Sequence, residues 1–90
     1  MNEPIFADVC KRAKKGDSFS YQLLGRMQAD CKYFLGNGNR YEGHLWGGSV
    51  KNHLSYMRKL YTSFPKDLRP EWLTEEQLNY YEKEMKKGKE

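Results

Sequence analysis

Apolar positions recur at helical spacing in four stretches of this chain, and each stretch ends at a residue that stops helices. In the first, about Glu3 to Lys15, the apolar set is Ile5, Phe6, Val9, Cys10 and Ala13. Asn2 can cap it, Pro4 suits its first turn and Gly16 can end it. In the second, about Phe19 to Leu35, a turn of about 100° per residue gathers Leu23, Leu24, Met27, Cys31, Phe34 and Leu35 on a third of the circumference. Gln22, Arg26, Ala29, Lys32 and Tyr33 point elsewhere. Asp30 stands at the edge of the stripe, beside Leu23 and Phe34, where a carboxylate is partly buried and needs a donor.

The third stretch, about Val50 to Ser63, has Ser49 as its cap and Pro65 beyond its end. Val50, Leu54, Met57, Tyr61 and Phe64 form its inner face, flanked by His53 and Leu60. A proline-bounded connector follows, pinned by Leu68, Trp72 and Leu73. The fourth helix opens on a capping box, Thr74-Glu75-Glu76-Gln77, with Leu73 and Leu78 placed as a hydrophobic staple. Leu78, Tyr81 and Met85 can dock, and residues 86–90 should fray. These patterns predict an all-α fold: a small bundle of three core helices plus an N-terminal helix.

Between the second and third helices lies GNGNRYEGHLWGG, residues 36–48, with five glycines among thirteen positions. Glycine and asparagine tolerate positive φ, so Gly36 can serve as the left-handed residue after the helix, and Gly38 or Asn39 can turn the chain again. Leu45 and Trp46 are not linker residues. They predict an ordered loop laid across the open end of the helices, with Gly47 and Gly48 turning tightly before Ser49. Asp30 is expected to tie this loop to the second helix by accepting bonds from loop amides, Arg40 or His44.

Composition changes this picture little. Ninety residues make one small domain, and 38% hydrophobic with 14% aromatic content argues against disorder despite 31% charged residues. No apolar run approaches the roughly 18 residues that cross a membrane. No secretory signal is apparent in MNEPIFADVC, so a cytoplasmic location is expected, with Cys10 and Cys31 as free thiols.

Charge is more informative. The net +4 is uneven: residues 1–16 carry +2, residues 49–70 carry +4, and residues 71–90 carry −2. Lys11, Arg12, Lys14 and Lys15 fit the last turn of the first helix, where the helix dipole favours cations. Lys51, Arg58, Lys59, Lys66 and Arg69 form a candidate phosphate-contacting face, with Tyr56 as a stacking ring. Turns in GNGNR can expose amides as an anion nest beside Arg40, but the stretch lacks GxxxxGK[ST] spacing and follows a helix.

Catalytic chemistry finds no footing. Asp30, Cys31, His44 and His53 are the polar candidates, yet none forms a CxxC, HxxxH or HExxH pair, and Cys31 sits mid-stripe as a small hydrophobe. No catalytic residue, metal or cofactor is expected.

The segments RMQADCKYFLGNGNRYEGHLWGG (26–48), LYTSFP (60–65) and PEWLTEEQLNYYE (70–82) together resemble the large polyvalent protein-associated domain family of conjugative elements and phages. The resemblance covers about residues 21–82, leaving the N-terminal helix of residues 1–16 outside. Arg26, Gln28, Asp30, Gly36, Asn37, Gly38, Asn39, Arg40, His44 and Trp46 match its pattern. It implies a domain that assists a mobile genetic element on entering a new host, and it carries no catalytic residues.

The resulting expectation is a non-enzymatic interaction protein that binds a host or element protein, a host defence nuclease being one such target. Trp46, Tyr41, Tyr33 and Tyr56 are the partner-binding candidates, with Tyr80 a further exposed ring. The alternative is a nucleic-acid accessory acting through the basic face of residues 51–69.

Overall fold

The computed structural model describes residues 3–36, 38 and 40–87, with side chains from Ile5 onward. The cap assigned to Asn2, the turn assigned to Asn39, the family match at Asn37 and the fraying of residues 88–90 lie outside the described residues. Over the described residues the chain is a small all-α bundle of four helices: α1 (Glu3–Ala13), α2 (Ser18–Leu35), α3 (Val50–Ser63) and α4 (Glu75–Lys87). Single 3-10 turns, Glu42–His44 and Lys66–Leu68, sit in the two longer connections.

Helices α2 and α3 pack on each other. Tyr21 stacks on Phe64 at one end, and Met27 meets His53 nearer the other. Helices α1 and α4 each pack on both members of this pair. The shared core is Leu24, Met27, Cys31 and Phe34 from α2 against Leu54, Met57 and Leu60 from α3, closed by Phe6 and Val9 on one side and Leu78 and Met85 on the other. The N-terminal helix is therefore part of the core.

Local signals set most of the boundaries. Asp17 caps α2 by accepting from Phe19 N–H, and Ser49 caps α3 by accepting from Asn52 N–H. The Thr74–Gln77 box closes both ways, at 2.9 and 3.1 Å, over a buried Leu73 and Leu78. Helix α1 stops two residues earlier than its pattern suggests. Gly16, at φ +72°, ends it by donating to the Ala13 carbonyl while Asp17 N–H reaches back to Arg12. At the other end α4 runs on through Lys86 and Lys87, expected to fray, because they pair with Glu82 and Glu84 one turn back.

Two apolar expectations fail on geometry. Ile5 is exposed because it lies about a quarter-turn from the centre of the α1 stripe. Trp72 is also exposed, at 44%, although its indole reaches Gly25 of α2.

Candidate functional site

The loop from Gly36 to Ser49 is wired at both ends. Gly36 and Gly38 N–H both donate to the Tyr33 carbonyl, at 3.1 and 2.7 Å, and Arg40 N–H donates to Phe34. These turns satisfy carbonyls that the end of α2 leaves open. They also postpone the left-handed residue. Gly36 has φ −105°, and it is Arg40, at φ +58°, that turns the chain. A side chain in that conformation costs about 1 kcal/mol. Arg40 offsets it by placing its guanidinium 2.9 Å from the Glu84 carbonyl at the end of α4 and over the Phe34 ring. Three loop amides thus point into the fold, and no anion nest is left among the described residues.

The second half of the loop is held by side-chain acceptors. Asp30 Oδ2 accepts the Trp46 N–H at 2.9 Å, His53 Nδ1 accepts the Gly47 N–H at 3.2 Å, and Glu42 Oε2 accepts the Val50 N–H at 2.7 Å. The expected loop-amide bond to Asp30 is there, but Arg40 and His44 do not reach it. Arg40 is committed to α4 and His44 points outward, leaving Arg26 as the cation 3.9 Å from Asp30.

His53 is fully buried, and its other nitrogen, Nε2, lies 2.9 Å from the Met27 carbonyl. A carbonyl only accepts, so Nε2 carries the proton and Nδ1 is left as the acceptor for Gly47. The imidazole is therefore neutral. Burial lowers its pKa from 6.5, opposed by the Met27 carbonyl and Asp30 and reinforced by Arg26. Gly47 is the other half of this joint. A Cβ there would stand 2.5 Å from His53 Cα, so only glycine lets the loop lie on α3.

What this frame presents outward is aromatic. The rings of Tyr33 and Tyr41, 46% and 62% exposed, meet His44 edge-on at 5.3 and 4.9 Å. Trp46 and Tyr56 belong elsewhere. Both are half-buried, and with Phe6 they make a triangle of rings 4.7 to 5.9 Å apart that seals the loop against α1 and α3. Tyr56 is thus not the exposed ring the sequence suggests, because α1 covers it. Tyr80 is exposed on α4 and borders a shallow groove of about 380 Å³ with Lys32, Leu35 and Gln77.

The basic face of residues 51–69 is interrupted. Arg58 binds Glu82 and Asn79 of α4 at 2.8 and 2.7 Å, and Arg69 folds back on the Phe64 carbonyl and the Tyr61 ring. Lys51, Lys59 and Lys66 remain exposed. Acid–base and thiol chemistry is equally constrained. Burial, with Asp30 adding, pushes the Cys31 thiol up to about 12, and His44 lies outside on the loop, away from it. Among the described residues no three of His, Cys, Asp and Glu stand together as a metal would need, and no helix is long and apolar enough to cross a membrane.

Three supporting residues escape a reading by residue type. Ser20 and Gln28 lie on the buried stripe of α2, where Ser20 donates to Val9 and Gln28 donates to both the Trp72 carbonyl and the Tyr81 hydroxyl. Their spacing from Leu24 was the available signal, at four residues either side. Glu42 caps α3 from eight residues away and has no local signature.

No curated protein and no solved structure matches the chain. A family pattern does, over residues 17–85, extending the stretch of resemblance by four residues at one end and three at the other. It takes in α2, the clamped loop, α3 and nearly all of α4, and by it the chain belongs to the family of large polyvalent protein-associated domain 11.

Proposed function

We propose that this domain is a non-enzymatic binding module of a mobile genetic element, acting in the cytoplasm on a host or element protein. Membership in a family of polyvalent protein-associated domains supports the mobile-element setting. The observation that carries the binding role is the Tyr33–His44–Tyr41 face. Its rings are exposed, yet the backbone beneath them is fixed by bonds to α2 and α3. A preorganised aromatic surface docks with little further loss of conformational entropy, and such rings dominate interface energies. A host defence nuclease is one partner such a surface can occupy, since blocking it sterically needs no catalytic group on this chain.

Affinity capture from host cells tests the reading, with the wild type beside Tyr33→Ala/Tyr41→Ala. Both rings are exposed, so the double variant should keep its melting transition within about 0.5 kcal/mol. The captured protein, once purified, should bind it at least about tenfold more weakly, a change of about 1.4 kcal/mol. Equal affinity for both forms would remove the aromatic face from the account. The alternative basic face predicts instead a salt-sensitive affinity for nucleic acid that falls with Lys51→Glu and Lys59→Glu.

A further inference from the structure

Two basic segments far apart in sequence meet at the end of the bundle opposite the loop. Lys14 and Lys15 lie in the turn that closes α1, and Gly16 of that turn packs against the side chain of Leu68. The Tyr21 hydroxyl donates to the Leu68 carbonyl and fastens the 3-10 turn that carries Lys66 beside it. Lys11, Lys14, Lys15 and Lys66 are all exposed, and none has a carboxylate partner among the described residues. Lys11, Lys14 and Lys15 border a hollow of about 390 Å³ with Arg12 and Asp8, which pair with each other at 3.0 Å. Three acids, Asp8, Asp17 and Asp67, stand against the five cations Lys11, Arg12, Lys14, Lys15 and Lys66, so this end keeps a net positive charge. Asp17 is engaged as the α2 cap, and Asp67 is a single exposed carboxylate. A helix dipole accounts for a cation in the last turn of α1, but not for lysines past its end or on a different segment.

We infer that this end of the bundle is a contact surface for the phosphate backbone of duplex DNA. Unpaired ammonium groups on two segments can each take up a backbone phosphate, and each contact releases condensed counterions. The occupant is a duplex and not a single strand because no ring faces the lysines for a base to stack on: Tyr21 is stacked on Phe64 at 4.5 Å with its hydroxyl engaged, and Phe19, though exposed, borders a separate hollow with Gln22, Leu23, Arg26 and Trp46. Lysine contacts to phosphate position DNA without reading its sequence. The surface is separated from the Tyr33–His44–Tyr41 face by the length of α2, about 27 Å for its 18 residues, so both can be occupied at once. Three of the four lysines precede residue 17, where the family match begins.

Fluorescence anisotropy of a short labelled duplex of mixed sequence, titrated with the intact chain between about 50 and 200 mM salt, tests the inference. Binding should be measurable at the low end and fall steeply with salt. Lys14→Glu/Lys15→Glu should weaken it at least about tenfold and reduce the salt slope by about two, with melting temperature unchanged. Lys66→Glu should weaken it further, whereas Lys51→Glu, on the part of α3 beside Glu82 and Lys86, should leave it as it is. Tyr33→Ala/Tyr41→Ala should bind DNA like the wild type, which keeps this outcome separate from that of the protein-binding face. No binding at about 50 mM salt, an equal loss with Lys51→Glu, equal or tighter binding of a single strand, or retention on poly-glutamate without binding to the duplex would each overturn it.

Discussion

In the second half of the loop between α2 and α3, beyond the Arg40 anchor, helix side chains and Glu42 accept: Asp30 from Trp46, His53 from Gly47, Glu42 from Val50. In the connector between α3 and α4, side chains donate instead. Tyr21 gives its proton to the Leu68 carbonyl, Gln28 to the Trp72 carbonyl and Arg69 to the Phe64 carbonyl. Both stretches are long and neither is loose, but the groups that hold them differ in chemistry. Strong side-chain acceptors are mostly carboxylates and imidazole, which titrate between acid and neutral pH. Tyrosine, glutamine and arginine keep their protons over the same range. Through His53, the loop that presents the aromatic face is thus the stretch whose fastening responds to acid.

Breaking the loop's fit should have the largest effect. Gly47→Ala drives a methyl into the backbone of His53, which cannot yield as a side-chain tip can, and should cost about 3 kcal/mol in denaturant unfolding. An alanine at Gly48, which stands free of neighbours but at φ +84°, should cost less, about 1 kcal/mol. The contrast between the two separates close approach from backbone conformation.

Asp30→Ala comes next. It leaves the Trp46 N–H without its acceptor in a part-buried site and should cost about 2 kcal/mol by thermal melting. Asp30→Asn keeps an oxygen in place and should recover about half of that. An unchanged melting temperature in the alanine variant would mean the carboxylate does not hold the loop.

Acid should then distinguish the two stretches. The folded-state pKa of His53 lies below 6.5, so as pH falls the unfolded chain takes up its proton first. The contribution of neutral His53 is complete above pH 6.5 and is lost progressively below it. Glu82, whose pKa is lowered by its bonds to Lys86 and Arg58, begins to weaken only as pH falls through 4.5. Stability measured between pH 6.5 and 4.5 therefore reports on the loop joint, and His53→Gln should flatten that part of the profile. The smallest effect belongs to the connector. Tyr21→Phe should cost about 1 kcal/mol, by the same amount at every pH in this window.

The two stretches were also unequally legible in the sequence. Helices α3 and α4 announce themselves through Ser49 and the Thr74–Gln77 box, because capping is a matter of residues three apart. Asp30 was visible as a carboxylate at the rim of an apolar stripe, but its partner was not. Which amide reaches it depends on where the chain reverses, and that reversal falls at Arg40 and not at a glycine. The same displacement sends Arg40 to the end of α4 and leaves His44 between two tyrosines. His53 read as a flanking residue of α3, since nothing local shows that its two nitrogens face a loop amide and an α2 carbonyl. The placing of the turn of Lys14 and Lys15 beside the turn that carries Lys66 is invisible for the same reason, since it depends on Gly16 and Tyr21 both meeting Leu68. Tyr56 read as an exposed ring because the pattern of α3 says nothing of where α1 will lie.

Amide hydrogen exchange at Trp46 and Gly47 tests the clamped loop most directly. If Asp30 and His53 hold these two N–H groups, they exchange as slowly as the buried turns of α2, despite lying in a stretch of glycine. Exchange at the rate of an unstructured peptide, with α2 still protected, would show a loose connector and leave the aromatic face without the rigid support on which its binding role depends.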